Sequence, residues 1–105
     1  MVRALAKATG ETWEEVYWEL ALLGYEIGDM PSINNTWAEF LLDKGFKRRN
    51  LEDTCPRCYT VRDFSNDNPE GVFVLGMGSH VVTVEDGNYY DAWDSGDEIP
   101  IYFFH

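Results

Sequence analysis

His80 and the acidic residues that follow it are the side chains whose type and spacing could do chemistry. His80 heads the apolar run Val81-Val82-Thr83-Val84, and Asp91 and Asp94 lie beyond the Asp86-Gly87 pair that would fold this run back on itself. A three-residue turn brings His80 level with Asp94; a two-residue turn sets it opposite Trp93, with Asp91 and Ser95 on the diagonals. Asp94 is therefore the expected partner and Asp91 the alternative. A carboxylate that accepts a hydrogen bond from one ring nitrogen fixes the imidazole tautomer and leaves the other nitrogen to take a proton. Such a pair is two thirds of a nucleophilic triad. From spacing alone, a strand-end histidine that merely bonds a neighbouring carboxylate is the more ordinary reading.

The two cysteines of the chain sit three apart in Cys55-Pro56-Arg57-Cys58. Two thiolates at this spacing can grip one tetrahedral metal such as zinc, but a closed site needs four ligands. His80 and His105 are the only histidines, and no spacing brings them to Cys55 and Cys58. Cys58 also precedes an expected helix at Thr60, a place where a thiol becomes more acidic. A redox role would require a preceding strand in a βαβ unit, which the pattern lacks. The plain reading is two reduced, half-buried cysteines on a connector in a reducing cytosol. No cofactor is expected, with zinc at Cys55 and Cys58 the one candidate.

Charge separates the two halves of the chain. The total is 19 acidic and 8 basic residues, a net charge of -11. All the basic residues lie before position 63, so the remainder is acidic only. That charge argues against direct binding to phosphate backbones or to an anionic membrane. Glu85, Asp86, Asp91, Asp94, Asp97 and Glu98 crowd into a short stretch. They read either as a solubilising face or as a surface that competes for a basic groove on another protein. Tyr89, Tyr90 and Trp93 lie among them, and exposed rings amid carboxylates have the makings of a protein-binding hot spot.

The elements that must position these groups follow from pattern. A length of 105 residues with 45% apolar side chains fits one domain over residues 1–105. Thr12-Trp13-Glu14-Glu15 is a capping box, and Trp13, Val16, Tyr17, Leu20 and Leu23 recur at helical spacing up to Gly24. A shorter helix precedes it from Arg3 to Thr9, closed by Gly10. Gly28 to Ser32 reads as loop. A third helix, capped by Asn35 or Thr36, carries Trp37, Phe40 and Leu41 and ends at Gly45. Trp13, Tyr17, Trp18, Tyr25, Trp37, Phe40 and Phe46 are mostly core at these intervals. After the basic cluster Phe46 to Asn50 and a brief helix near Thr60 to Phe64, the period becomes that of strands. Val72 to Leu75, Ser79 to Val84, Asn88 to Trp93 and Ile101 to Phe104 are the candidates, with Asp86-Gly87 as hairpin turn. The fold class is α+β, a helical N-terminal half packed on a C-terminal antiparallel sheet. No apolar run approaches membrane-span length, so the sequence predicts a soluble, cytoplasmic protein.

The order of a helical half, then Gly78-Ser79-His80-Val81-Val82-Thr83-Val84-Glu85-Asp86-Gly87, then Tyr90-Asp91-Ala92-Trp93-Asp94-Ser95, resembles small phage and prophage proteins of papain-like cysteine-peptidase fold. The resemblance covers most of the chain. In that family the nucleophilic cysteine precedes the first helix, in a stretch similar to Met1-Val2-Arg3-Ala4-Leu5 followed by Ala8-Thr9-Gly10, and the histidine and aspartate come from the sheet, as His80 and Asp94 would. Here no cysteine stands in the matching stretch. The resemblance therefore implies a degenerate papain-like domain from a phage or mobile element in a bacterial host. The expected function is binding to a host nucleic-acid-binding defence protein, of anti-CRISPR or anti-restriction type. Glu85, Asp86, Asp91, Asp94, Asp97 and Glu98 would supply phosphate mimicry and Tyr89, Tyr90 and Trp93 the anchors. The rival expectation is a cysteine peptidase or amidase using His80 and Asp94, which needs a thiol just before Val2, as translation from an upstream start would provide.

Overall fold

Local chemistry sets the helices. In the computed structural model, which describes residues 1–28, 34–78, 80–91 and 94–105, α1 spans Val2–Thr9, α2 Trp13–Ile27, α3 Asn34–Asp43 and α4 Val61–Asp67. The Thr12 hydroxyl accepts the Glu15 amide at 3.1 Å and the Glu15 carboxylate accepts the Thr12 amide at 3.3 Å, the reciprocal bonding of a capping box. Thr60 and Asp63 repeat this at the start of α4. Gly10 and Gly28 close α1 and α2 with positive φ of 75° and 82°. The expected stop at Gly24 is overrun: Gly24 is buried inside α2, and the helix runs one more turn to Gly28. The loop reading at 29–32, Ser79, the side chain of Asn35 and the proposed anchor Trp93 lie outside the described residues.

The five strands are β1 Arg48–Asn50, β2 Val72–Gly76, β3 Val81–Glu85, β4 Asn88–Tyr90 and β5 Tyr102–Phe104. They form one antiparallel sheet in the order β1-β5-β2-β3-β4. The α+β class is therefore observed, with β1 an addition to it: its three residues are exposed and polar, and it is held by pairing with β5.

Alternation along the strands gives the sheet two apolar faces. Val74, Val81, Tyr102 and Phe104 point to one side, where Leu5, Val16, Leu20, Trp37, Phe40 and Leu41 of α1, α2 and α3 cover them. Leu75, Val82 and Val84 point to the other and meet Val61 and Phe64 of α4. The molecule is thus three layers deep, with α1 laid directly across β3. Thr83 Oγ1, fully buried, donates to the Ala4 carbonyl at 2.6 Å, and Lys7 Nζ reaches Glu85 at 3.1 Å. Both ties lie on the same face of β3 and fix where α1 begins. Among the described residues no helix is long and apolar enough to cross a membrane.

Candidate functional site

The turn between β3 and β4 decides which carboxylate meets His80. Asp86 and Gly87 both take positive φ, 50° and 81°, and Glu85 pairs with Asn88 directly across them. This is the two-residue hairpin geometry that Asp-Gly favours. Continuing the register carries Asp91 to the diagonal position, and the structure bonds His80 Nε2 to Asp91 Oδ2. The expected His80–Asp94 pair is corrected accordingly. Asp94 instead accepts hydrogen bonds from the Tyr89 hydroxyl at 2.6 Å and the Gly96 amide at 3.0 Å, with Arg62 at 3.6 Å. Tyr89, the Gly96 amide and Arg62, in that order, hold its carboxyl below the usual range.

The Asp91 side chain is only 7% exposed and that of His80 19%, so the pair sits largely out of water. An ionised carboxylate only accepts, so in its bond to Asp91 the Nε2 atom is the donor. His80 and Asp91 line a cleft of about 630 Å³ together with Val81, Tyr89 and Tyr90 from the sheet and Met1, Arg3, Ala4 and Lys7 from α1 and its start. Lys7 Nζ lies 4.3 Å from the centre of the Tyr90 ring, a cation–π contact at the cleft wall. The first residue of the chain is therefore beside the pair. Burial lowers the pKa of the Met1 amine while the nearby Asp91 raises it, which places Asp91 within electrostatic reach of position 1. Among the described residues lining the cleft there is no serine, threonine or cysteine.

The cysteines take another course from the one expected. Cys55 and Cys58 are joined in a disulfide, with Cα atoms 4.2 Å apart. Their sulfurs carry no thiolate in this form, so neither the reduced pair nor the zinc grip at Cys55 and Cys58 describes this structure, and Cys58 does not act as a displaced nucleophile. A different group does gather ligand atoms: His80, Asp91 and Glu98, with all donor atoms within 4.8 Å of one another. Glu98 was expected only on the acidic surface. Its place beside His80 comes from the loop before β5, where its amide donates to the Ser95 carbonyl and its own carbonyl accepts the Val61 amide.

The remaining acidic residues are largely occupied by the fold. Glu85 pairs with Lys7, Asp86 accepts the Gly71 amide at 3.1 Å, and Asp97 pairs with Arg62 while its side chain stays 90% exposed. Tyr89 is half-buried and Tyr90 is 43% exposed. Exposed rings are found elsewhere. Trp18 (69%) and Tyr25 (85%) stand out from α2, and Trp13 and Tyr17 stack with centroids 5.2 Å apart at half exposure, so these four are not core. Trp18, Leu22 and Tyr25 follow one another at four- and three-residue steps on the solvent side, a spacing that a sequence reader assigns to burial by default. Comparison with family models, curated proteins and solved structures returns no match.

Proposed function

We propose that the α1–β3–β4 cleft is an acyl-transfer site of cysteine peptidase or amidase type, with His80 as base, Asp91 as its orienting carboxylate and position 1 as the place of the nucleophile. One observation carries this reading: the start of α1, His80 and Asp91 share a single cleft. A thiol at the start of a helix gains from the helix dipole and from a neighbouring imidazolium, which is what makes it a nucleophile near neutral pH. Met1 offers a thioether, which has no proton to give and forms no acyl intermediate. The cleft supplies the base and its orienting carboxylate, and a thiol at position 1 completes the catalytic set.

The test is a Met1→Cys variant, made behind a leader that is cleaved off, with alkylation by iodoacetamide followed on the peptide that contains position 1. A free cysteine is only about 0.3% thiolate at pH 6. A thiol paired with His80 would be largely ionised, and its lower intrinsic nucleophilicity would remove part of that gain. The expected net effect at pH 6 is about tenfold faster alkylation than free cysteine, lost on adding His80→Ala. A rate equal to free cysteine and indifferent to His80 would overturn the reading.

A second reading is favoured by the exposed rings of α2 and the net charge of -11. In it the protein is an acidic inhibitor of a basic, nucleic-acid-binding defence protein, with Trp18, Leu22 and Tyr25 as anchors and Glu14, Glu15 and Glu26 steering the approach. Capture from nuclease-treated host lysate at low salt, with release at high salt, supports it. A captured protein that salt does not release, or none at all, counts against it.

A further inference from the structure

His80, Asp91 and Glu98 come from three separate segments: the entry to β3, the exit of β4 and the loop before β5. Their donor atoms lie within 4.8 Å of one another. Among the described residues no hydrogen bond reaches the Glu98 Oε2 atom, which is shielded although Glu98 as a whole is partly exposed. A shielded carboxylate oxygen without such a bond carries a desolvation cost that a cation would relieve. Two carboxylates and one imidazole thus face one another, with the Met1 amine within electrostatic reach of Asp91 and Arg3 and Lys7 on the cleft wall. The Glu98 backbone is held at both ends by Ser95 and Val61, so its carboxylate is presented from a fixed base.

We propose that His80, Asp91 and Glu98 form a binding site for a divalent cation of the zinc class, with one imidazole nitrogen and two carboxylate oxygens as ligands. A single nitrogen with two oxygens suits a borderline ion, and three protein ligands leave a coordination position open toward the cleft. Donors around zinc lie about 2.0–2.2 Å from the ion, so the Glu98 carboxylate closes on the pair by roughly an ångström when the ion enters. Metal and proton chemistry at His80 exclude each other: the nitrogen that bonds Asp91 is turned to the ion, and the dyad is silenced. Only this last consequence rests on the acyl-transfer reading.

The test is calorimetric titration of the protein with zinc chloride, alongside Glu98→Gln, His80→Asn and the double variant Cys55→Ser/Cys58→Ser, each first shown by its melting curve to be folded. One zinc per chain is expected, with affinity reduced at least tenfold in Glu98→Gln and His80→Asn and unchanged in the cysteine double variant. No binding at millimolar zinc overturns the proposal. So does binding that survives Glu98→Gln and disappears with the cysteines. Thiol reactivity of Met1→Cys in zinc-free buffer separates the two readings: fast alkylation there, together with absent zinc binding by the native chain, would sink the metal site and leave the acyl-transfer site standing.

Discussion

Replacing Thr83 with valine should loosen α1 from the sheet while leaving the rest of the core in place. The Thr83 hydroxyl is fully buried and donates to the Ala4 carbonyl at 2.6 Å, joining residues 79 apart in sequence. Valine fills nearly the same space but gives no donor. The Ala4 carbonyl keeps its partner within α1, so the loss falls at the lower end for a buried hydrogen bond, about 1 kcal/mol. For a domain of this size that corresponds to a melting point lower by about 4–8 °C. Because the bond ties α1 to β3, amide exchange in residues 4–9 should accelerate about fivefold, while β2 and β5 follow only the global change. Differential scanning calorimetry and hydrogen-exchange mass spectrometry read the two effects separately. Neutralising the exposed Lys7–Glu85 pair by Lys7→Gln, by contrast, should change stability by less than about 0.5 kcal/mol. Unchanged stability in Thr83→Val, or exchange in residues 4–9 that does not accelerate, would refute the claim that this hydroxyl fixes the cleft wall.

Other outcomes follow from the same packing. A methyl group on Gly76 would press into the Tyr102 ring, so Gly76→Ala should cost about 1–3 kcal/mol in denaturant unfolding, and clearly less in a Tyr102→Leu background. Asp94 is held ionised by Tyr89, the Gly96 amide and Arg62, so its folded-state pKa lies below the ordinary 3.8. Its stabilising contribution is complete above that value and disappears as pH falls through the folded pKa. The stability gap between the native chain and Asp94→Ala should therefore be constant from pH 7 to about 5 and close on further acidification; a gap that widens in acid would reverse the sign of the argument. The double variant Trp18→Ser/Tyr25→Ser removes rings that face solvent, and should leave the unfolding free energy within about 0.5 kcal/mol of the native chain while abolishing any salt-sensitive capture of a basic partner.

What was readable in the sequence was what short-range chemistry decides. The capping box at Thr12 and Glu15 works over four residues and appears in the structure as read; the hairpin falls at Asp86-Gly87 as read, but its turn holds two residues rather than the three that favoured Asp94. The end of α2 was missed because Gly24 is a tolerable interior residue when its face is buried, and the left-handed cap falls to Gly28 instead. β1 could not be seen: Arg48-Arg49-Asn50 has no apolar alternation, and only long-range pairing with β5 makes it a strand. For His80 the deciding signal was present, since Asp-Gly is the dipeptide of a two-residue turn, and that turn length selects Asp91 over Asp94. Glu98 was legible as a charge but not as a neighbour of His80, because its position depends on bonds to Ser95 and Val61. The aromatic rings of α2 show the opposite error, where helical spacing suggests a core and the three-layer packing leaves Trp18 and Tyr25 outside it.

The account turns on His80 being committed through Nε2 to Asp91. Its most direct test is a long-range nitrogen–proton correlation spectrum of the two histidine rings, recorded above pH 7 for the native chain and for Asp91→Ala and Asp94→Ala. The account predicts that His80 is held in the Nε2–H tautomer, that Asp91→Ala shifts its population away from that tautomer, and that Asp94→Ala leaves it unchanged. An Nδ1–H tautomer in the native chain, or a His80 signal that responds to Asp94 and not to Asp91, would contradict it.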